Sequence, residues 1–405
     1  MKGSPIVVLD IGTSKVLCLV GELQADEKLR ILGVGSSPCS GFRRSAIIDM
    51  AKVVQSIKTA TSNAERSAGL KITGAYVGLA GEDISAHTSH STVAISGMAN
   101  PIDEDDVRRA LSAAEQSVPP SSNSSVLHRF VQSYAVDGEL VQNPLWLHGN
   151  RLEIETLSIS AAGAACNTLH RAAAEAGIEI VGFIYETVAA ASSVVSLDER
   201  EMGVGILDIG AGTSDLSLFY GPLRHVAQIP FGGDDITKDL SIVLSTSHRE
   251  VERLKKENGS VCCPVDDADE TLSFNTTAGR EYTLTQHQLS AIIEARQQEI
   301  LEFVRRELES NRYGQLLAAG LIFTGGGALL NNITQLAEEI LGMPVRIGVP
   351  QNIVSSEALE DPTYATAIGL LRFAMDDHSQ EADYISPFSE GETLRDKISK
   401  IFSFL

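Results

Sequence analysis

The chain has 405 residues, 43% of them hydrophobic and 21% charged, with a formal net charge of −21. That length exceeds one simple core and predicts a globular protein of two to four lobes. The negative charge argues against bulk binding to nucleic acid, which needs a basic face. The five cysteines (Cys18, Cys39, Cys166, Cys262 and Cys263) are odd in number and show no ligand spacing, so a reducing cytosol is the simplest expectation. There is no signal-peptide pattern and no run of about 18 apolar residues, and no membrane span is expected.

In chain order, residues 6–20, IVVLDIGTSKVLCLV, read as strand, turn, strand, and residues 29–38 continue the meander. Residues 49–68 have helical spacing that ends near Gly69, and residues 75–79 form a strand. From about 82 to 162 the character changes to a small α+β insertion. It has strands at 93–95, 127–135 and 151–159, and a helix at 103–117 with acids in its first turn, where they suit the macrodipole. Nothing catalytic stands out there, and His128 and Trp146 read as packing or interface residues. Residues 167–177 form a helix closed by glycine, followed by a strand at 178–184 and a helix headed by Glu186. Glu186 stands either to poise a water or to cap that helix.

Residues 203–220, GVGILDIGAGTSDLSLFY, repeat the opening pattern about 200 positions later. Aligned on Asp10 and Asp208, both stretches give apolar strand, D-I-G, hydroxyl-rich turn, apolar strand. Two such hairpins suggest duplicated half-domains facing each other across one ligand. Gly210 and Gly212 can take positive φ, so the turn can be tight and its N–H groups can face an anion such as phosphate. Thr213 and Ser214 add hydroxyl donors, and Lys15 adds a cation. Asp10 and Asp208 at the strand ends suit a water-bridged Mg²⁺. A Walker loop or Rossmann fingerprint would run strand, loop, helix, which this order excludes.

After the second hairpin, Phe231-Gly232-Gly233 is a turn entering a helix, whose N–H groups offer a further anion site. Residues 248–258 form a charged helix with Glu252 and Lys255 at i, i+3, on the bland view one ion pair on a solvated face. Residues 262–283 read as a polar hairpin, and 284–309 as a long amphipathic helix carrying Arg296. Residues 321–330, LIFTGGGALL, run from a buried strand into a triple-glycine turn (Gly325, Gly326, Gly327) and a helix, where a flat ring or a phosphate can approach the backbone. Residues 361–373 are the last helix of the globular part. Residues 376–393 hold six acids and no Lys or Arg, and read as a flexible linker. Beyond it, Leu394, Ile398, Ile401, Phe402 and Leu405 fall on one helical arc with Phe404 beside it. Arg395, Lys397 and Lys400 flank that arc, the pattern of an in-plane membrane helix. A helix docked on the protein itself or on a partner is the alternative.

The hairpins at 10–15 and 208–215, the Glu186 segment and residues 324–328 resemble the phosphate-1, phosphate-2, first connecting and adenosine motifs of the actin, sugar kinase and heat-shock chaperone ATPase superfamily. Within it the chain resembles the FtsA family of bacterial cell-division proteins, through DIGTSKV, GFRRSAIIDM, NPLWLHGNRLEIE, the insertion and the basic amphipathic end. The resemblance implies an α/β, actin-like two-lobed ATPase fold of duplicated ribonuclease-H-like domains. The first lobe comprises 1–81 and 163–200, the inserted interaction domain 82–162, and the second lobe 201–375 with a subdomain near 235–315. It implies ATP and Mg²⁺ in the cleft. Gly12, Thr13, Ser14 and Lys15 would meet β/γ-phosphates, with Gly210, Ala211, Gly212 and Thr213 opposite. Asp10 and Asp208 would hold hydrated Mg²⁺, Glu252 and Lys255 would bind ribose, Gly325–Gly327 would flank adenosine, and Glu186 would orient water. Hydrolysis is not the expected main output. Arg296 would bind the C-terminal peptide of the tubulin-like FtsZ. The chain would polymerise on the cytoplasmic face of the inner membrane at the division site, tether the FtsZ ring and recruit later division proteins through the insertion. A pilus-assembly actin homologue such as PilM and a sugar kinase-type phosphotransferase are the alternatives, and no Asp is evident as a sugar-facing base.

Overall fold

A computed structural model describes residues 5–24, 28–95, 101–117, 124–262, 269–355 and 359–379. The expected amphipathic helix at 394–405, the linker from 380 onward and Cys263 lie outside the described residues. Residues 376–379, expected as linker, continue a helix, Ala365–Ser379.

Two mixed sheets repeat one pattern. In the first, Ile6–Ile11 pairs antiparallel with Lys15–Leu23 and parallel with Gly74–Leu79. In the second, Val204–Ile209 pairs antiparallel with Ser214–Phe219 and parallel with Leu321–Thr324. The sheet orders extend this core symmetrically, with Leu29–Pro38 beside the first hairpin and Leu223–Ile229 beside the second. The central strands are buried because helices cover them. Met50–Ala68, for example, begins at Asp49, whose carboxylate accepts the Lys52 N–H (3.2 Å), and ends at Gly69 with φ 68°. It lies directly on Leu29–Pro38, where a Cβ on Gly35 would stand 1.9 Å from the Ala60 carbonyl oxygen.

The chain does not stay in the second lobe to residue 375. Ile353–Val354 pairs parallel with Leu29–Arg30 in the first sheet. The following Ala365–Ser379 helix packs against Glu186–Val194 and joins the first core through Ile368, Leu370, Leu371 and Phe373. Apolar faces compete for burial regardless of chain order, and the open face of the first sheet is the one this helix covers.

The insertion is a four-stranded antiparallel sheet in the order Ile84–Ala94, Arg151–Ala162, Ser124–Val136, Glu139–Val141, with the Glu104–Ser117 helix on one face. Its tip has its own core of Ile102, Val107, Ala110, Ala114, Val136, Leu152 and Ile154. Its root belongs to the main core through Leu127, Phe130, Leu157 and Ile159. One face of Ser124–Val136 reaches both lobes. His128 Nε2 accepts the Tyr185 N–H of the first lobe at 2.9 Å. Gln132 donates to the Leu223 carbonyl of the second at 2.8 Å and accepts from Arg224 on its side-chain oxygen at 3.0 Å.

His128 is therefore a packing residue, against Phe130 and Phe373. Burial in this apolar setting pushes its imidazole down to about 3. Between that value and the ordinary 6.5 the unfolded chain binds the extra proton, so stability contributed by neutral His128 is lost as pH falls. At pH 5 the loss is about 2 kcal/mol, from ~1.5 units at ~1.4 kcal/mol each. Urea unfolding at pH 7 and pH 5 measures it. The wild-type drop between the two should exceed that of His128→Gln by this amount, and equal drops would refute the assignment.

Candidate functional site

The two glycine turns close alike. The Gly12 N–H donates to the Lys15 carbonyl and the Gly210 N–H to the Thr213 carbonyl, both at 2.9 Å. They face each other across a cavity of about 570 Å³ between the lobes, within the range of sites for small molecules and cofactors. Asp10, Gly12, Thr13, Ser14 and Lys15 line it from the first lobe, and Asp208, Gly210, Ala211, Gly212 and Thr213 from the second. Neither Gly210 nor Gly212 takes a positive φ. Gly212 is needed for space: a Cβ there would lie 2.8 Å from Thr13 Oγ1 and 3.1 Å from the Arg44 backbone nitrogen. Ser214 is no phosphate donor. It is buried, and its hydroxyl donates to the Phe231 carbonyl at 2.9 Å.

The electrostatics are lopsided. Asp10, Glu186, Asp208 and Asp215 meet at the turns, with Lys15 as their nearby cation. Burial, then the neighbouring carboxylates, push Glu186 well above its ordinary value. Burial raises Asp10 to about 6 against the pull of Lys15, and burial with Asp208 raises Asp215 to about 7. Burial also raises Asp208, although the Thr366 hydroxyl donates to it at 2.7 Å. Carboxylates crowded this way favour a divalent cation. Among the described residues no three His, Cys, Asp or Glu side chains converge to hold a metal directly. Glu186 lies over Gly78, whose missing Cβ leaves its carboxylate room.

Gly325, Gly326 and Gly327 line the cavity after Leu321–Thr324. Gly325 has φ 79°, and a Cβ there would stand 2.3 Å from Asp208 Oδ1, while one on Gly327 would stand 2.2 Å from Ile209 Cγ2. The turn continues as a 3₁₀ turn, and the helix waits until Ile333–Leu341. The cavity volume, the glycine cradle and the oxygen donors together fit a Mg²⁺-bound nucleotide. Glu252 and Lys255 also line the cavity and do not form a solvated face. Lys255 Nζ donates to the Gly233 carbonyl at 2.8 Å and pairs with Glu252 at 2.8 Å. Burial pushes Glu252 up, but Lys255, Thr237 and Lys256 outweigh it and hold its carboxyl below the ordinary value.

Gly232 and Gly233 are a correction. Gly232 does not line the cavity, and its N–H donates to Asp235 at 3.1 Å. The N–H groups of Gly233 and Asp234 donate to the carbonyls of Gly210 and Ala211 at 2.9 and 2.8 Å. The helix Gly233–Val243 thus clamps the second turn with the N–H groups that were expected to meet an anion. Gly233 still borders the cavity.

Arg296 sits elsewhere, on Gln286–Ser310, in a groove with Asp239, Ile242, Val243, Ala291, Ile292, Ala295 and Glu299. Its guanidinium forks onto Asp239 (2.6 and 3.0 Å) and also pairs with Glu299. Ile242 and Val243 are 66% and 61% exposed, which leaves an apolar wall open to solvent. The predicted membrane residues lie outside the described residues, and among those described no helix is long and apolar enough to cross a membrane.

Sequence reasoning missed several lining residues. Asp215 carried no role, although hairpin register alone puts it opposite Asp208. Ser45 and Phe42 come from the short hairpin Phe42–Arg43 and Ala46–Ile47, and Thr363 and Thr366 from the returning C-terminal segment. No local pattern marks the threonines.

Known proteins share this architecture. The family described as Cell division protein FtsA matches residues 205–369, and SHS2 domain inserted in FTSA matches residues 81–160. The FtsA of Pseudomonas aeruginosa is 36% identical over 93% of this chain and 91% of its own length. That of Bacillus subtilis is 37% identical over 91% and 83%, and that of Escherichia coli 32% identical over 92% and 91%. Among solved structures, the PilM–PilN type IV pilus biogenesis complex aligns with TM-score 0.65 at 18% identity, covering 91% of this chain and 98% of that one. MreB5 of Spiroplasma citri aligns with TM-score 0.55 at 17% identity, covering 92% and 96%. At such identities the structures establish an actin-like fold and nothing finer, whereas the sequence relatives extend over nine-tenths of the chain. The chain belongs to the FtsA family of cell-division proteins, with an actin-like fold and an inserted SHS2 domain.

Proposed function

We propose that this chain is an ATP- and Mg²⁺-binding member of the division machinery. It polymerises on the cytoplasmic face of the inner membrane at the division site, tethers the FtsZ ring there and recruits later division proteins through its insertion. The observation that carries the reading is the facing pair of glycine turns with Lys15 and the carboxylate cluster between them. A nucleotide supplies phosphate charge and a bound cation. Gly12, Thr13, Ser14 and Lys15 bind those phosphates from one lobe, and Gly210, Ala211, Gly212 and Thr213 from the other. Asp10 and Asp208 orient water around the cation. Glu252 and Lys255 take the ribose, and Gly325, Gly326 and Gly327 accept the adenosine face. Holding one ligand from both lobes fixes their angle and biases the chain toward assembly. Glu186, raised in pKa and facing the cavity, positions water, with assembly and not turnover as the main output.

The groove at Arg296 accepts the C-terminal peptide of FtsZ. Its open apolar wall and forked arginine suit an apolar peptide carrying an acid. Residues 394–405 hold the protein to anionic membrane. Each copy binds weakly, and many copies in a filament bind tightly through effective concentration. The pilus-adaptor alternative is supported by shape alone.

Co-sedimentation with anionic vesicles and ATP tests the assembly. The full chain should pellet with lipid and a chain ending at Thr393 should not; equal pelleting would overturn the anchor. For the groove, Arg296→Glu should weaken FtsZ-peptide binding at least tenfold by fluorescence anisotropy and leave nucleotide affinity within twofold. An unchanged peptide affinity would remove Arg296 from the site.

A further inference from the structure

One element at the cleft mouth has no place in that account. The short hairpin Phe42–Arg43 and Ala46–Ile47 turns through Arg44 and Ser45, both non-glycine residues with positive φ, 45° and 62°. Turns of this kind favour Asn-Gly or Asp-Gly, because a Cβ there is strained. The turn is held by what it touches. A Cβ on Gly81 would lie 2.2 Å from Ser45 Cβ, and one on Gly212 would lie 3.1 Å from the Arg44 nitrogen and 2.8 Å from Thr13 Oγ1. The turn therefore rests where the two glycine turns meet, and Ser45 and Phe42 line the cavity.

Arg44 reaches across the mouth to the other lobe. Its guanidinium contacts Asp235 Oδ1 at 3.3 Å, with the two side chains 41% and 15% exposed. A single long contact at a solvated rim holds weakly. Asp235 has its own task, accepting the Gly232 N–H at the head of the helix that clamps Gly210 and Ala211. Charge balance then decides what Arg44 is for. At the turns, carboxylates outnumber Lys15, while Lys255 and Lys256 are already paired with Glu252. A terminal phosphate would add negative charge at the turns, where Lys15 is the one of the three lining lysines not paired with Glu252. Arg44, whose backbone meets Gly212 and whose guanidinium is held by one long contact, is an exchangeable cation at the rim.

We propose that Arg44 distinguishes a nucleoside triphosphate from a diphosphate in this cleft, leaving Asp235 to engage the terminal phosphate. A guanidinium suits this because its planar donors match phosphate oxygens. The proposal rests on the nucleotide reading above. It assigns to the strained turn a role in ligand discrimination, so that the state of the phosphates is read at the helix that also carries Asp239, Ile242 and Val243 of the distal groove.

Calorimetric titration of the full chain with Mg²⁺–AMPPNP and with Mg²⁺–ADP tests it. In Arg44→Ala the AMPPNP affinity should fall about tenfold while the ADP affinity stays within twofold, and Arg44→Lys should recover much of the ratio. Melting curves should be close to wild type, since Arg44 is a rim residue. An equal loss for both nucleotides would make Arg44 only a tie between lobes, and no loss for either would make it idle; both overturn the proposal. Wild type binding neither nucleotide would overturn the reading of the cleft itself, and this proposal with it.

Discussion

Asp208→Asn should weaken Mg²⁺–nucleotide binding on the order of 100-fold while raising the melting temperature of the nucleotide-free protein. Asp208 is the penultimate residue of the Val204–Ile209 strand, opposite Asp215 and beside Thr324, and receives the Thr366 hydroxyl at 2.7 Å. An asparagine keeps that bond and the shape but removes one negative charge from a crowded group. The affinity loss reflects the missing charge on a hydrated cation, an effect of several kcal/mol in such sites. The stability gain comes from the same charge. Asp10 and Asp215 are raised to about 6 and about 7. A carboxyl raised on folding contributes stability that is present below its ordinary value near 4 and lost as pH rises through its folded value. The nucleotide-free protein is therefore penalised by this cluster at pH 7 and relieved of part of the penalty at pH 5, opposite in sense to His128. Calorimetry with Mg²⁺–ATP and thermal melting without it read the two effects separately. A variant that lost both affinity and stability would show Asp208 to be structural.

Gly369→Val should be among the most damaging single changes to the fold. Gly369 sits where Ala365–Ser379 crosses Glu186–Val194, and even a Cβ there would stand 1.9 Å from the Ala189 carbonyl oxygen and 2.3 Å from its carbon. The neighbours are backbone, so no rotamer change relieves the clash. Ser192 and Ser193 also donate to the Gly369 and Ala365 carbonyls at 3.1 and 2.7 Å, which holds the helices at this distance. The cost should be about 3 kcal/mol or more, read as a lower urea midpoint. The helix that must shift begins at Glu186 and faces Thr366, so nucleotide affinity should fall too. Gly342→Ala is the contrast. Gly342 has φ 67° and a Cβ there would meet nothing within 4 Å, so strain alone costs about 1 kcal/mol. Equal effects at both positions would refute the close-crossing account.

The sequence by itself determined the parts that local chemistry encodes. Short apolar runs and the D-I-G turns marked both hairpins, and their repetition marked the duplication. Asp49 and Gly69 marked the ends of Met50–Ala68. The repeat also picked out Asp10, Lys15, Asp208 and the Gly210–Thr213 turn, which line one cavity. Other features depended on tertiary structure, because they arise where segments far apart in the chain meet. Gly212 of the second turn serves close approach to Thr13 and Arg44, far away in the chain, and not a positive φ. The head of Gly233–Val243 spends its N–H groups on Gly210 and Ala211. Lys255 leaves its helix surface for the Gly233 carbonyl. The last helix returns to the first lobe and brings Thr363 and Thr366 to the cavity. Periodicity and turn residues specify which way a segment bends and which face is apolar. Which apolar face another segment covers depends on competition across the whole chain, and it was that competition that completed the site.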